Sequence, residues 1–509
     1  MKILAFALSA LMLFGEAGIA RADDASALLQ KHKSFVGWQF GDGTFKSLAV
    51  DSELVKTDTN AVADRIHALN VGAIFRQTTQ SAQGTEDDGF TGNIFWSTNI
   101  NGFPRPVRGD EVQYIISQQI LFNEATSELT GEARGNATVN GKQAQIVRVR
   151  PQQGDPIDLY VDPSTGEYVR ATIDPDGTYE RTIDILAYDE IAPGKKLISK
   201  WKYSDSSYEH RNTKVAVNPA FTNGDLHPPA QHATWDFRNS QPFKIRFLDR
   251  DVSPRIIVEA KVNGVPGRFI LDTGASDIAL TREFADRAGV KRLFKTQFGG
   301  IGGALRGEMA HADTIEIGRN VLHNVVVGAG GQPIEKEAPD GLMGFDLMAG
   351  AIVSVNLDDQ TMTILDPKSN TVDRSNGITV AADLSNGTPN IPMKLNGNID
   401  VNALLDSGAG TYVLYSTKLL NHGVRMLVDD SQLASHMVFG GVGGGLEVGA
   451  CGNLDKISVG PIVYQNAPAC QVRGTVGERD IIVGLDFLKG FNLLFDYPES
   501  YLVLIPRKQ

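Results

Sequence analysis

Two short apolar runs in this 509-residue chain each end in an acidic residue followed by a small turn. Residues 269–275 read Phe-Ile-Leu-Asp-Thr-Gly-Ala, and residues 403–409 read Ala-Leu-Leu-Asp-Ser-Gly-Ala. Two carboxylates held a few Å apart cannot both ionise comfortably, so they share one proton. The ionised member can then take a proton from water while the protonated member polarises a carbonyl. Asp272 and Asp406 are therefore candidates for the two halves of one acid–base site.

The elements around these two aspartates recur in the same order, which indicates a tandem duplication. Asp272 and Asp406 are 134 residues apart in the chain. Each follows an Asn-Gly hairpin signal and precedes a short helical segment that ends at a glycine. A glycine-rich segment, an apolar-apolar-Gly element and a strand-turn-strand tail then follow in both copies. The repeated elements are Phe298–Gly303 and Phe439–Gly444, Leu342–Leu347 and Ile482–Phe487, and Ser354–Leu365 and Leu494–Ile505.

Each copy resembles a retropepsin, the half-unit of the aspartic proteases. The resemblance covers about residues 250–507 and rests on three elements in order, each present twice. It implies two pseudo-twofold β-barrel lobes in one chain, with Asp272 and Asp406 as the catalytic pair that hydrolyses a peptide bond by activating a water. Since one chain supplies both aspartates, no second copy is needed, and we expect a monomer.

The same resemblance implies roles for the residues that follow each aspartate. Thr273 and Ser407 are expected to hydrogen-bond across the interface between the lobes. Gly274 and Gly408 are expected to permit close backbone approach, with their amides donating to the carboxylates. Asp277 follows the first motif closely, so it either lines the cleft or lies in a solvated loop.

The two glycine-rich segments are interpreted as flaps, the hairpin tips that bind the substrate backbone and exclude water. A phosphate-binding loop is the alternative, but neither segment lies between a strand and a helix with a basic residue. Two such tips resemble the two-flap retroviral dimer more than the single-flap pepsins. The predicted flap residues are Gly299, Gly300, Ile301, Gly302, Gly303, Gly440, Gly441, Val442, Gly443 and Gly444.

The only two cysteines, Cys451 and Cys470, lie symmetrically about Gly460-Pro461. Apolar runs flank this turn, so the region is predicted to be a hairpin. Equal arm lengths would place the thiols opposite each other across the strands. A disulfide is favoured over two free buried thiols.

The N-terminus predicts export from the cytoplasm. Lys2 precedes an apolar run at residues 3–14, and Ala20-Arg-Ala22 is a small-x-small cleavage site, so residues 1–22 are interpreted as a signal peptide. A membrane anchor is the alternative, but the apolar run is shorter than the roughly 20 residues that span a bilayer. The mature chain is therefore expected in the periplasm or outside the cell, where a disulfide can persist.

Residues 23–235 form a block of alternating, strand-like runs separated by turn signals, which predicts an antiparallel sheet. Its hairpin at residues 158–170 and the surrounding meander resemble the curved sheet of LolA-type periplasmic lipoprotein carriers. A linker is predicted at residues 236–248, followed by the first protease lobe at 249–370 and the second at 371–509. The fold class is therefore mostly β throughout.

Two hypotheses for the function follow from these patterns. The first is an exported aspartic endopeptidase whose partner is a polypeptide substrate. The second is a non-catalytic periplasmic protein that binds or carries a lipid or lipoprotein and uses the protease-like half as a scaffold. The net charge of −12 argues against a nucleic-acid partner. No metal or organic cofactor is implied.

Overall fold

The computed structural model describes most of the mature sequence, and the predicted signal peptide lies almost wholly outside the described residues. Two compact units are present, one of residues 1–46 and 116–211 and the other of residues 47–115 and 212–509. The described residues are 22–72, 74–81, 84–92, 94–107, 110–175, 180–238, 243–248, 255–300, 303–330, 339–384, 386–410, 413–416, 436–440, 446–472 and 480–507.

The predicted β-rich fold is confirmed, since strands far outnumber helices. The helices are α1 (Ala22–Val36), α2 (Asp110–Phe122), α3 (Arg282–Arg287), α4 (Phe345–Ala349) and α5 (Leu485–Leu488). The strands up to residue 217 are β1 (Leu48–Lys56), β2 (Val62–Val71), β3 (Ile74–Ser81), β4 (Gly84–Phe90), β5 (Phe95–Thr98), β6 (Pro104–Val107), β7 (Gly131–Val139), β8 (Lys142–Val149), β9 (Ile157–Val161), β10 (Tyr168–Ile173), β11 (Arg181–Ala192), β12 (Lys195–Tyr203) and β13 (Tyr208–Val217).

The remaining strands belong to the protease-like region and the segment that precedes it. They are β14 (Thr234–Asp236), β15 (Ile245–Arg246), β16 (Ile257–Val262), β17 (Val265–Leu271), β18 (Ala279–Leu280), β19 (Lys291–Gly300), β20 (Gly303–Ile317), β21 (Asn320–Gly330), β22 (Gly341–Met343), β23 (Ile352–Asn356), β24 (Thr361–Leu365), β25 (Ile378–Ala381), β26 (Asn390–Leu395), β27 (Ile399–Leu405), β28 (Val413–Ser416), β29 (His436–Gly440), β30 (Leu446–Val459), β31 (Ile462–Val472), β32 (Ile481–Val483), β33 (Phe491–Asp496) and β34 (Tyr501–Pro506). Short 3-10 helices lie at Thr126–Glu128, Asn223–Leu226, Arg374–Asn376 and Tyr497–Glu499.

The unit of residues 1–46 and 116–211 is an antiparallel meander with strand order β13-β12-β11-β10-β9-β8-β7. The hairpin predicted at residues 158–170 is β9–β10, and the Asn140-Gly141 signal is the two-residue turn between β7 and β8. Both turn residues have positive φ, as a tight hairpin turn of this kind requires. Helix α1 buries an amphipathic stripe with helical spacing, namely Ala25, Leu28, Leu29, His32 and Val36.

In the second unit, residues 47–107 form an antiparallel meander with strand order β6-β5-β4-β3-β2-β1. Short connections join successive strands, and each pair is antiparallel. The predicted N-terminal domain includes these strands, and its extent stays a prediction. The domain boundaries at residues 235, 248 and 370 stay predictions.

The protease-like region shows the predicted duplication as two related sheets. Their strand orders are β14-β21-β18-β22-β17-β16-β20-β19 and β26-β27-β32-β28-β31-β30-β29. The turn at Asn263-Gly264 has two residues, whereas the Asn396-Gly397 turn gains Asn398 and has three. The first copy contains the predicted helix as α3, which is followed by Gly289 with a φ of 62°. The corresponding segment of the second copy lies outside the described residues.

The strand-turn-strand tails of the two copies meet in a third sheet, with strand order β15-β24-β23-β33-β34-β25. Strands β23 and β33, one from each copy, pair antiparallel with Ile352 opposite Asp496. Each tail therefore contributes two of the six strands of a sheet that links the two lobes. No helix among the described residues is long and apolar enough to span a membrane.

Candidate active site

Each candidate catalytic aspartate directly follows a buried strand, and that strand pairs in parallel with a second strand of the same lobe. Strand β17 runs parallel to β22, and the Asp272 amide donates to Met343 O at 3.0 Å. In the second lobe β27 runs parallel to β32, and the Asp406 amide donates to Val483 O at 3.0 Å. The apolar-apolar-Gly elements of the sequence are therefore the strands that fix the direction of the two aspartate strands.

The glycine of the first apolar-apolar-Gly element is needed for close packing. A Cβ at Gly344 would lie 2.3 Å from Asp277 O and 2.4 Å from Ala275 O. Any larger residue would push apart the turn that follows Asp272, because backbone atoms cannot move aside as a flexible side chain can. The glycine at position 344 thus has a steric reason.

Thr273 and Ser407 join the lobes by a reciprocal set of hydrogen bonds. The Thr273 amide donates to Ser407 Oγ at 3.0 Å, and the Ser407 amide donates to Thr273 Oγ1 at 2.9 Å. Each hydroxyl then donates to the backbone of the opposite lobe, Thr273 to Leu405 O at 2.6 Å and Ser407 to Leu271 O at 2.8 Å. Both side chains are 1% exposed, so these bonds are shielded from water.

We expect replacement of Thr273 by Ala to weaken the junction between the lobes. The change leaves the Ser407 amide and the Leu405 carbonyl without partners in a buried place, which costs about 2 kcal/mol. Thr273→Ser keeps a hydroxyl group at this position, as Ser407 does at the equivalent position of the other lobe. This variant should lose less than about 1 kcal/mol of unfolding free energy. Urea unfolding of both variants measures the difference, and an equal loss for the two would show that the methyl group, not the hydroxyl, matters.

The carboxyl group of Asp406 lies close enough to that of Asp272 for its negative charge and a side-chain hydrogen bond to raise the pKa of Asp272. Each also accepts a backbone amide of its own turn, Gly274 to Asp272 Oδ1 at 2.9 Å and Gly408 to Asp406 Oδ1 at 2.8 Å. Each glycine in addition packs against the carboxyl group of the other lobe. A Cβ at Gly274 would lie 2.4 Å from Asp406 Cγ, and a Cβ at Gly408 would lie 2.4 Å from Asp272 Cγ.

Electrostatics favours one shared proton in this pair. Burial raises the pKa of Asp272 well above its ordinary value, and the negative charge and hydrogen bond of Asp406 raise it further. The Gly274 amide opposes this shift because it stabilises the anion. These effects favour the protonated form of Asp272 beside Asp406.

The glycine-rich segments both connect antiparallel strands. In the first lobe Gly300 lies opposite Gly303 across the β19–β20 hairpin, with Gly299 paired to Ala304. In the second lobe Gly440 lies opposite Leu446 across β29–β30. The other predicted flap residues, Ile301, Gly302, Gly441, Val442, Gly443 and Gly444, lie outside the described residues.

The predicted disulfide between Cys451 and Cys470 is present. The two residues lie directly opposite each other in the β30–β31 hairpin, whose turn is Gly460-Pro461. The symmetric placement of the cysteines about this turn therefore predicted the register correctly. The bond joins β31 to β30, the strand that follows the second glycine-rich segment.

The sequence analysis missed a buried anchor at Asp346. This side chain is 0% exposed. Its Oδ1 accepts from the amides of Asn99 at 2.6 Å and Asn101 at 2.9 Å, and its Oδ2 accepts from the Ile278 backbone at 3.0 Å. Burial raises the pKa of Asp346 to about 7, and the negative charge of Asp277 adds to the shift.

The anchor joins the β5–β6 connection to the first lobe. Asn101 also bonds the Val326 backbone in both directions, through Nδ2 at 2.9 Å and Oδ1 at 2.7 Å. Within the β5–β6 connection, Asn99 Oδ1 accepts hydrogen bonds from the backbone amides of Asn101 and Phe103. The Asn-Ile-Asn-Gly run at residues 99–102 was the signal for this turn, but nothing local to it indicates a partner so distant in the chain.

Comparisons with known proteins agree with the duplicated halves. Residues 258–347 match a family described as "Aspartyl protease", and residues 391–490 match one described as "gag-polyprotein putative aspartyl protease". A search of curated proteins finds no match.

Solved structures similar to part of the chain include a LolA superfamily protein. Three of the similar structures cover 40% of this chain and 97% of their own chains. They are a putative outer membrane lipoprotein-sorting protein domain from Vibrio parahaemolyticus (10% identity, TM-score 0.29), a DUF1329 family protein from Desulfovibrio piger (9%, 0.29) and a LolA superfamily protein from Nitrosomonas europaea (14%, 0.30). The predicted likeness to LolA-type carriers is thus found, but at these TM-scores it carries no argument about function. The two family matches, together with the three repeated elements, identify residues 258–347 and 391–490 as two aspartyl-protease-like segments of one chain.

Proposed function

We propose that the chain is an aspartic endopeptidase that hydrolyses polypeptides with water activated between Asp272 and Asp406. The observation that supports this most strongly is the contact between the two carboxyl groups, each backed by the glycine of the opposite lobe. A scaffold without catalysis would not require two half-buried carboxyl groups to face each other, since their mutual repulsion opposes folding at neutral pH.

The proposed reaction needs no covalent intermediate. The ionised carboxylate accepts a proton from water as the water oxygen attacks the carbonyl carbon of the substrate. The protonated carboxyl group hydrogen-bonds the carbonyl oxygen and stabilises the negative charge that develops there. The tetrahedral intermediate then collapses when the leaving nitrogen takes a proton from the pair and the C–N bond breaks. The pair returns to its starting state after a new water binds.

We also propose that the enzyme works as an exported monomer. The charged, apolar and small-x-small parts of residues 1–22 support export, and the Cys451–Cys470 disulfide suits an oxidising compartment. A monomer is sufficient because both aspartates, and the Thr273–Ser407 junction that positions them, come from one chain.

The pH profile of wild-type cleavage tests the proposal. With denatured protein as substrate and mass spectrometry of the products, we expect a bell-shaped dependence of kcat/KM on pH. The acid side reflects loss of the ionised carboxylate, and the alkaline side reflects loss of the shared proton. Because the pKa of Asp272 is raised, the alkaline side should lie well above pH 4, the ordinary aspartate range.

Failure to cleave at any pH, with lipid or lipoprotein recovered from the purified chain, would instead support the non-catalytic carrier hypothesis. A profile that rises steadily with pH would contradict a shared proton and favour a different nucleophile. Both outcomes differ clearly from the expected bell-shaped dependence of kcat/KM on pH.

A further inference from the structure

A cavity of about 560 Å³ lies between the strands of residues 81–105 and the first protease-like lobe. Asp88, Ser97 and Arg105 line it from the strand side, and Asp277 and Gln297 line it from the lobe. Asp277 is five residues beyond Asp272 in the chain, and Gln297 lies on β19, the strand that leads into the first glycine-rich segment. The cavity therefore adjoins the elements that frame the candidate active site.

The wall contributed by the strand side is fixed in place. Asn99 lines the cavity and donates to Asp346, the buried anchor of the first lobe. Because Asn101 adds a second bond to the same carboxylate oxygen, the β5–β6 connection cannot move away from the lobe without losing buried hydrogen bonds. The cavity is thus a preformed site, which lowers the entropy cost of binding.

The charges that line the cavity do not balance. Glu86, Asp88 and Asp277 are acidic, and Arg105 is the single basic residue among the lining residues that the structure describes. Arg105 Nη2 donates to Thr98 O at 3.0 Å, so this guanidinium also forms a hydrogen bond to the backbone of its own hairpin. An excess of carboxylates in a recessed site favours a cationic ligand.

Two buried polar atoms at the same cavity lack partners within the protein. Ser97 is 6% exposed, and its hydroxyl has no hydrogen-bond partner. Arg105 Nε is likewise buried without a hydrogen-bond partner. Leaving such groups unpaired costs about 1–3 kcal/mol each, and an unpaired hydroxyl in a cavity wall is available to a ligand. This observation is independent of the acidic cluster and points to an occupant that offers a donor to the Ser97 hydroxyl and an acceptor to Arg105 Nε, as a peptide with a basic side chain and carbonyl oxygens does.

The rest of the lining suits a long side chain with a charged end. The half-buried rings of Phe95 and Phe294 contribute to the walls. Lysine and arginine bury their aliphatic stems on such surfaces while their charged heads find polar partners, and the guanidinium group also stacks on aromatic faces.

The carboxyl groups of Asp88 and Asp277 are unfavourable as anions even though Arg105, which lines the same cavity, opposes the rise in the pKa of each. Burial raises the pKa of Asp88 to about 7, with Glu86 adding to the shift and Arg105 opposing it. Burial also raises the pKa of Asp277, although Ser276 Oγ donates to it at 2.8 Å. A positive charge bound between them would relieve this repulsion and favour both ionised forms.

We propose that this cavity binds a basic side chain of the polypeptide substrate, with Asp88 and Asp277 pairing with its charge. The inference rests on the proposed peptidase function and specifies its substrate class. It makes Asp88 a specificity-determining residue, although Asp88 lies outside both segments that match aspartyl proteases. The strands of residues 81–105 would then belong functionally to the substrate cleft.

Equilibrium binding separates this inference from catalysis. The full chain carrying Asp272→Asn is titrated with fluorescent octapeptides of Ala and Val that hold one arginine at each position in turn. A second set carries citrulline, which is neutral and nearly isosteric with arginine. We expect at least about a tenfold tighter Kd for arginine than for citrulline at one position. Adding Asp88→Asn should reduce this ratio to less than about threefold.

Asp51→Asn is the matched control, because it makes the same chemical change on β1 at an exposed residue paired with His67. It should leave the ratio unchanged, and unfolding curves establish that each variant is folded. Equal affinity for both peptide sets, no binding of either set, or a preference that survives Asp88→Asn would overturn the inference. If arginine is preferred but the wild-type chain cleaves none of the peptides, the cavity assignment stands and the peptidase proposal fails.

Discussion

Replacing Asp272 by Asn is expected to lower kcat/KM for polypeptide cleavage by about 10³-fold. The amide has nearly the same shape, so the hydrogen bond from the Gly274 backbone to Oδ1 can persist and the fold should survive. It can neither ionise nor hold the shared proton, so water activation and protonation of the leaving nitrogen are both lost. Initial rates on a fixed peptide, measured at the wild-type pH optimum, give the comparison.

Asp400→Asn is the matched control for this experiment. Asp400 lies on β27, the strand that delivers Asp406, and forms an ion pair with Lys394 at the surface, where its side chain is 79% exposed. Such a pair contributes little to stability, so activity should stay within about twofold of wild type. A comparable loss in both variants would show that the loss reflects general damage to the lobe.

The Asp346→Ala variant should be destabilised by about 3 kcal/mol. Removing the carboxylate leaves the amides of Asn99 and Asn101 and the Ile278 backbone N–H without their acceptor in a fully buried place. The loss acts where the β5–β6 connection meets the first lobe, so it should also weaken peptide binding in the adjoining cavity. Chemical denaturation measures the change in the free energy of unfolding.

The duplication supplies the control for this variant. Asp486 occupies the same position in the second copy, where its side chain forms an ion pair with Lys489. Asp486→Ala should therefore cost less than about 1 kcal/mol. If the two variants were equally destabilised, the effect would come from the helix N-terminus that both aspartates share and not from the buried anchor.

The site could be predicted from sequence where a local pattern determines its geometry. The Asp-Thr/Ser-Gly turns predicted the positions of Asp272 and Asp406. An apolar strand that ends in a small turn restricts where the aspartate at its end can lie. The cysteine spacing about Gly460-Pro461 likewise fixed the strand register, because a hairpin pairs residues at equal distances from its turn.

The contributions of residues 81–105 could not be predicted, because they depend on long-range packing. Asn99 and Asp346 are 247 residues apart in the chain, and no periodicity links them. Asp88 and Asp277 each look like ordinary surface acids in sequence, and only the structure places them in one cavity.

The central claim is that Asp272 and Asp406 form one catalytic unit. It is tested most directly by comparing kcat/KM for wild type, Asp272→Asn, Asp406→Asn and the double variant on the same peptide. If the two act as a unit, each single change removes nearly all of the activity and the double variant is no worse than either single one. Losses that multiply in the double variant, or one single variant that retains near wild-type activity, would contradict a shared site.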